Sequence, residues 1–161
     1  MKRIILTIII ILAFNNNSFS AGSSNDSSDK KSNYTKAYNL IKSAKKYEKK
    51  GKTEKAKKRY SKAQKLLLLS NKEYPLQADT LNYLGFTTRK LGDYKKGEEF
   101  YLQGLKIEPN HNGINEYLGE LYVVTNRIKL AKERLEILKS CNCDEYKELK
   151  EVIEGTKKSK Y

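Results

Sequence analysis

The chain has 161 residues, enough for one domain, and a formal net charge of +14 at pH 7 from 33 lysines and arginines against 19 acidic residues. It has one histidine and two cysteines, and no nucleophile in the sequence is accompanied by a base. It also lacks the glycine-rich loop that binds phosphate in nucleotide-dependent enzymes. We therefore expect a basic, non-catalytic protein that uses no cofactor.

Residues 1–20 have the composition of a secretory signal peptide. Two basic residues precede the apolar run 4–14, and small residues stand at Ser18 and Ser20. The apolar run is shorter than the roughly 20 residues that a helix needs to cross a bilayer. The sequence therefore predicts cleavage after Ser20, a periplasmic or otherwise exported protein, and no transmembrane segment in the mature form.

The segment 21–32 is polar and has no apolar residue larger than alanine. Such a segment cannot bury enough apolar surface to offset the entropy lost on ordering. We expect it to be a disordered leader.

A repeated dipeptide organises the rest of the chain. Leu84-Gly85 and Leu118-Gly119 lie 34 positions apart, and this spacing is the period of a helix–turn–helix repeat. Small residues at these positions allow two helices to approach closely while the larger neighbours fill the gaps.

Turn residues divide the chain into helical hairpins. Gly51 and Gly92 stand where a first helix ends in a left-handed residue, and Pro109 stands where a second helix ends. The predicted repeats are 33–77, 78–111 and 112–143. The first is longer than 34 residues, and we place the excess in extra turns of its second helix at 66–72.

The middle repeat resembles the tetratricopeptide repeat (TPR) family. The matching positions are Leu81, Leu84, Gly85, Gly92, Tyr94, Gly97, Tyr101, Gly104 and Pro109. The resemblance implies an all-α fold, a right-handed α-solenoid of three TPR-like helix–turn–helix repeats whose concave groove binds a peptide or a partner helix.

A last amphipathic helix is predicted at 144–158. Tyr146, Leu149, Val152 and Ile153 recur there at spacings of one, three and four residues. Repeat arrays need a terminal helix with a polar outer face, so we interpret this segment as the capping helix.

The resemblance also implies which side chains face the groove. They belong to the first helix of each repeat: Lys45, Lys49, Asn82, Phe86, Arg89, Glu116, Tyr117 and Glu120. Each of them is equally compatible with an ordinary solvated position, and the paired acids Glu116 and Glu120 are interpreted as solvated rather than catalytic.

The positive charge is concentrated in the first repeat. Residues 30–72 contain 16 lysines and arginines against Glu48 and Glu54, a net of +14, so the rest of the chain sums to zero. This is consistent either with solvated helix surfaces or with a surface for an acidic partner. Because export argues against nucleic acid, we predict no nucleic acid partner and prefer anionic lipid, an acidic envelope polymer or an acidic protein.

Cys141 and Cys143 are the only cysteines, and one residue separates them. In an oxidising compartment this pattern favours a disulfide. Free thiols and a Cu(I) or Zn site are the alternatives, although no further sulfur ligand is visible. His111 lies in a predicted turn and is interpreted as a solvated loop residue.

Three functions remain open at this point. The first is an adaptor or scaffold of the bacterial envelope that binds an unidentified protein or peptide through the groove. The second is a binder of anionic lipid or acidic polymer through the lysines of the first repeat. The third is a thiol or copper carrier that uses Cys141 and Cys143.

Overall fold

A computed structural model describes residues 26–159, with side chains described from Asn33 onwards. Seven helices account for most of this part of the chain, and it contains no strand, so the prediction of an all-α fold is confirmed. The helices are α1 (Asp26–Lys49), α2 (Thr53–Glu73), α3 (Ala78–Lys90), α4 (Tyr94–Ile107), α5 (Asn112–Val124), α6 (Ile128–Leu138) and α7 (Asp144–Ile153).

Of the two predicted N-terminal segments, one lies outside the described residues and the other overlaps α1. The predicted signal peptide, 1–20, lies outside the described residues. Helix α1 begins at Asp26, inside the range 21–32 that the sequence analysis predicts to be a disordered leader. The amphipathic pattern of α1 becomes visible only further along the chain, so the sequence pattern gives no signal for the first turns of this helix.

Consecutive helices pack against each other as hairpins. Helix α1 packs against α2, α3 against α4, and α5 against α6, while α2–α3 and α4–α5 contacts join one hairpin to the next. Helix α7 packs against both α5 and α6. Helix α2 continues through the segment 66–72, where the sequence analysis places the extra turns.

The turns inside the hairpins use residues with a positive φ. Gly51 has a φ of +66° and Gly92 a φ of +100°, while Asn126 has a φ of 58° in the third hairpin. Glycine adopts this region without steric cost, and asparagine is among the residues that tolerate it best. The chain therefore reverses direction at all three points with little backbone strain.

Glycines allow close approach between neighbouring helices. A Cβ atom on Gly85 would lie 2.6 Å from Cδ1 and 2.8 Å from Cζ of Tyr101, so α3 and α4 touch through this ring. Gly119 faces Leu149 in the same way, since a Cβ there would lie 2.7 Å from Cδ1 of that leucine. Helix α7 is thus seated directly on α5.

One hydrophobic core runs from the first hairpin to the third. Aromatic rings connect it across the hairpins: the ring of Phe86 lies 5.7 Å from that of Tyr60 and 5.1 Å from that of Tyr117. Leu149 and Val152 of α7 are buried as well. No helix in the described part of the chain is sufficiently long and apolar to cross a bilayer.

Candidate functional site

Helices α1 and α2 carry a continuous basic surface. We use this name for the twelve exposed lysines of residues 33–72. They are Lys36, Lys42, Lys46, Lys49, Lys50, Lys52, Lys55, Lys57, Lys58, Lys62, Lys65 and Lys72. The side chains stay in solvent because the apolar stripes of both helices face each other and the second hairpin.

A pocket of about 340 Å³ opens within the basic surface between α1 and α2. Four cationic side chains of α2 line it on one helix face, because residues three, four and seven positions apart project to the same side. Two residues of α1 complete the wall. The lining residues are Leu40, Tyr47, Lys55, Lys58, Arg59 and Lys62. We call this site the basic pocket.

Tyr47 and Arg59 form the centre of the basic pocket. The guanidinium of Arg59 lies 4.9 Å from the centre of the Tyr47 ring, and its Nη2 donates a hydrogen bond of 3.5 Å to the tyrosine hydroxyl. This hydrogen bond and the charges of Arg59, Lys55 and Lys52 lower the pKa of Tyr47. The cations around this oxygen are placed to favour negative charge there.

The two glutamates of this region do not neutralise the basic pocket. Glu48 accepts a hydrogen bond of 2.8 Å from the hydroxyl of Tyr60 and lies 2.9 Å from Nζ of Lys90. Glu54 forms an exposed ion pair with Lys57, with an N–O distance of 3.8 Å. Both carboxylates are therefore engaged outside the pocket, and its excess of positive charge remains.

Most of the side chains predicted to face a groove are buried. Of the eight residues, only Lys49 is exposed and Lys45 is partly buried, while the other six are buried, namely Asn82, Phe86, Arg89, Glu116, Tyr117 and Glu120. The guanidinium of Arg89 donates to the backbone oxygen of Tyr117. The six buried side chains belong to the first helices α3 and α5. That the set of eight lines a partner-binding groove stays a prediction.

Lys45 of α1 contacts the first helices of the other two hairpins, α3 and α5. Its Nζ lies 4.5 Å from the centre of the Phe86 ring and donates a hydrogen bond of 3.2 Å to the hydroxyl of Tyr117. A cavity of about 380 Å³ lies beside it, lined by Lys45, Glu48, Lys49, Phe86 and Lys90. Burial raises the pKa of Tyr117 above its ordinary value, so its hydroxyl stays protonated while it accepts the hydrogen bond from Lys45.

The acids of α5 are buried and not solvated, which corrects the sequence-based interpretation. Glu116 is 3% exposed and Glu120 is 0% exposed. Together with Glu148 of α7 they place three carboxylate oxygens within 4.8 Å of one another. The hydroxyl of Ser159 donates a hydrogen bond of 3.1 Å to Glu120. The spacing of Glu116 and Glu120 places both on one face of α5. Helix α7 packs against α5, and this tertiary contact cannot be read from the spacing.

His111 also differs from its prediction as a solvated loop residue. Its side chain is 12% exposed and caps α5, since Nδ1 accepts a hydrogen bond of 3.2 Å from the backbone N–H of Ile114. Its Nε2 lies 3.2 Å from Oδ1 of Asp79. The histidine therefore has a structural role at the start of the helix.

Cys141 and Cys143 form a disulfide in the link between α6 and α7. In this form neither sulfur is a thiolate, which is the species that binds soft metals. The structure thus gives the copper-carrier hypothesis no ligand pair.

No protein-family model matches this chain. A stretch of 73 residues is 45% identical to the Sol locus transcriptional repressor of Clostridium acetobutylicum. The match covers 43% of this chain and 23% of the repressor, so it spans less than a quarter of the repressor's length.

This similarity contradicts the functional predictions made from the sequence. A relative named as a transcriptional repressor conflicts with a periplasmic adaptor or scaffold, and we withdraw that function together with the lipid-binding and copper-carrying alternatives. It also overturns the prediction that nucleic acid is not a partner. That prediction depended on the expected export of the chain, whereas the basic surface itself is compatible with a polyanion.

Proposed function

We propose that this chain is a module of transcriptional control that binds duplex DNA through the basic surface of α1 and α2. The observation that carries the proposal is the basic pocket, in which three lysines and one arginine converge without a carboxylate among its described lining residues. The similarity to part of a transcriptional repressor supports it.

The spacing of the cations suits a phosphate backbone. Lys55 and Lys62 lie seven residues apart on one face of α2, which corresponds to about 10 Å along the helix axis. Duplex DNA carries one negative charge per about 1.7 Å of its axis, so this length faces several phosphates. Tyr47 and Arg59 add a hydrogen-bonding group and a planar guanidinium, both of which bind phosphate oxygens.

The composition of the surface indicates how DNA is bound. Of the twelve exposed lysines, Lys57 forms an ion pair with Glu54. Lysine contacts phosphate as a point charge. Phosphate contacts position a protein on DNA but carry no base information. We therefore expect α1 and α2 to supply affinity that depends strongly on salt and little on sequence.

We also infer that the three hairpins are TPR-like repeats of a right-handed α-solenoid, with α7 as the capping helix. The positive-φ residues Gly51, Gly92 and Asn126 at equivalent turns support this arrangement. Gly85 and Gly119 are both sites of close helix contact, the first with α4 and the second with α7. A solenoid of this kind would present α1 and α2 at one end of the array, where the basic surface is open on its outer side.

The proposal is tested by comparing two variants of equal charge. The first replaces Lys55, Lys58, Arg59 and Lys62 with glutamine, and the control replaces the exposed lysines Lys129, Lys132, Lys139 and Lys147 with glutamine. Binding to a short labelled duplex is measured by fluorescence anisotropy over a series of salt concentrations. Each lost phosphate contact lowers the slope of log K against log salt by about 0.9.

We expect the basic-pocket variant to lower the magnitude of the slope by up to about 3.6 and the control to lower it by less than about 1. The proposal fails if the unmodified protein does not bind duplex DNA at low salt. It also fails if both variants lose affinity equally, because net charge and not the basic pocket would then account for binding.

A further inference from the structure

A second pocket, of about 390 Å³, lies at the N-terminal ends of α3, α5 and α7. We call it the polar pocket. It is lined by Asp79, Asn82, Tyr83, Glu108, Asn110, His111, Asn112, Gly113, Glu116, Tyr117 and Glu145. Its volume falls in the range of sites that hold small organic molecules.

The charge of the polar pocket is opposite to that of the whole chain. Four carboxylates line it, and no lysine or arginine is among the described lining residues, although the chain carries 33 such residues and a net charge of +14. Asp79 and Glu145 stand in the first turns of α3 and α7, where each also offsets a partial positive charge of about 0.5 from the helix N-terminus. The formal charges of Asp79, Glu108 and Glu145 exceed these partial charges, so the wall of the pocket has an excess of negative charge.

An unsatisfied acceptor lies in the wall of the polar pocket. Asn82 is 5% exposed, and its Oδ1 has no hydrogen-bond partner among the described residues. Gly113 leaves room for the side chain of Asn82, because a Cβ at position 113 would lie 2.9 Å from Nδ2 of Asn82. A buried acceptor without a donor is costly, which favours a ligand that supplies an N–H group.

The neighbouring groups on the wall are already oriented. Nε2 of His111 lies 3.2 Å from Oδ1 of Asp79. Its Nδ1 accepts a hydrogen bond from the backbone N–H of Ile114 in α5. With Nδ1 as acceptor, Nε2 carries the proton of the neutral ring and donates to the carboxylate. This arrangement fixes one carboxylate at the edge of the pocket without adding a positive charge.

We infer that the polar pocket binds an organic cation that carries N–H donors, an ammonium or a guanidinium group. One N–H donates to Oδ1 of Asn82, and the positive charge lies among the carboxylates of Asp79, Glu108 and Glu145. The ring of Tyr83, partly buried at the same wall, faces the aliphatic part of the ligand. Two sources supply this chemistry: a free diamine, or a lysine or arginine side chain of another protein.

Isothermal titration of the full chain with two probes distinguishes these sources. The probes are 1,4-diaminobutane and a short arginine-containing peptide with blocked ends. Tetramethylammonium is the reference cation, since it has a positive charge but no N–H donor. Binding of the diamine identifies a free amine as the ligand, and binding of the peptide alone identifies a partner's side chain.

Matched variants test whether binding occurs in the polar pocket. Glu108→Gln with Glu145→Gln removes two lining charges, and Glu99→Gln with Glu136→Gln removes two acids outside the pocket. We expect the first pair to weaken binding about tenfold or more and the second pair to leave it unchanged. Circular dichroism of both pairs verifies that the helices are intact.

The inference is overturned if neither probe binds at millimolar concentrations, if tetramethylammonium binds as tightly as the probes, or if both pairs of variants weaken binding equally. Replacing Asn82 with leucine adds a separate measurement, since it should weaken the probes and leave tetramethylammonium unaffected. None of these results depends on DNA binding, so the inference and the proposed function can fail separately.

Discussion

Replacing Gly85 with alanine tests the close packing of α3 against α4. The new Cβ would lie 2.6 Å from Cδ1 and 2.8 Å from Cζ of Tyr101, whose side chain is 0% exposed. A buried aromatic ring cannot move away without displacing its neighbours, so the overpacking cost falls in the upper part of the usual range, about 2–3 kcal/mol. Alanine recovers about 1 kcal/mol of helix propensity. We expect a net loss of about 1–2 kcal/mol in the free energy of unfolding.

Gly104→Ala is the matched control for this substitution. The nearest atom to a Cβ at that position is Cδ1 of Ile114, which is also buried but can turn about its terminal χ angle without moving a ring. The next contact, with Cβ of Leu81, is an ordinary 3.5 Å. The same gain in helix propensity applies. We expect the stability loss to be smaller than that of Gly85→Ala by at least about 1 kcal/mol.

Urea unfolding followed by circular dichroism measures both variants. With an m-value of about 2 kcal/mol/M, the loss for Gly85→Ala corresponds to a midpoint lower by about 0.5–1 M. Adding Tyr101→Leu removes the ring that the new methyl group meets, so the double variant should lose less than the sum of the two single losses. A Gly85→Ala protein as stable as the unmodified one, or strictly additive losses, would refute this packing of α3 on α4.

Two further predictions concern ionisation and an ion pair. Burial raises the pKa of Tyr83 to about 12 and raises the pKa values of Tyr34, Tyr60 and Tyr117 as well. Because these values lie above the unfolded value of about 10, their contribution to stability is complete below pH ~10 and is lost as the pH rises further. The tyrosinate absorbance of these four residues, isolated by comparison with the corresponding Tyr→Phe variants, should therefore rise together with the loss of helical signal. Titration of these four residues near pH 10 in an intact helical protein would contradict the prediction. Arg127 donates two hydrogen bonds, of 2.8 and 2.7 Å, to Glu98. Arg127→Lys should lower the free energy of unfolding by about 0.5–1 kcal/mol because lysine cannot form the paired contact. An unchanged urea midpoint would show that the pair contributes nothing.

The helical architecture could be predicted because its determinants are local. Gly51, Gly92 and Pro109 occupy positions where a helix must stop, and the structure ends α1, α3 and α4 next to them. The repeated Leu-Gly dipeptide marks helix contacts that depend on small residues. The start of α1 could not be placed in the same way, since residues 26–32 carry no apolar stripe from which a helix period can be measured.

The inner side chains could not be predicted, because burial of a charged residue depends on partners distant in sequence. Arg89, Glu116 and Glu120 belong to residue types that are almost never fully buried without a partner. Their covering comes from α7 and from the neighbouring first helices, which no local pattern specifies. His111 is a similar case, because its role as a helix cap follows from the geometry of the turn that precedes α5.

The separation of charge constrains how the molecule meets its ligands. The basic surface lies on α1 and α2, whereas the polar pocket is formed by α3, α5, α7 and the link between α4 and α5. A duplex is attracted by the first and repelled by the second, and a small organic cation experiences the opposite preference. DNA should therefore approach with α1 and α2 foremost. Exposed charges are screened beyond about 8 Å at physiological salt, so an occupied polar pocket alters DNA affinity through charge only where a phosphate comes within that distance. Any strong coupling between the two ligands would instead require movement of the hairpins relative to one another.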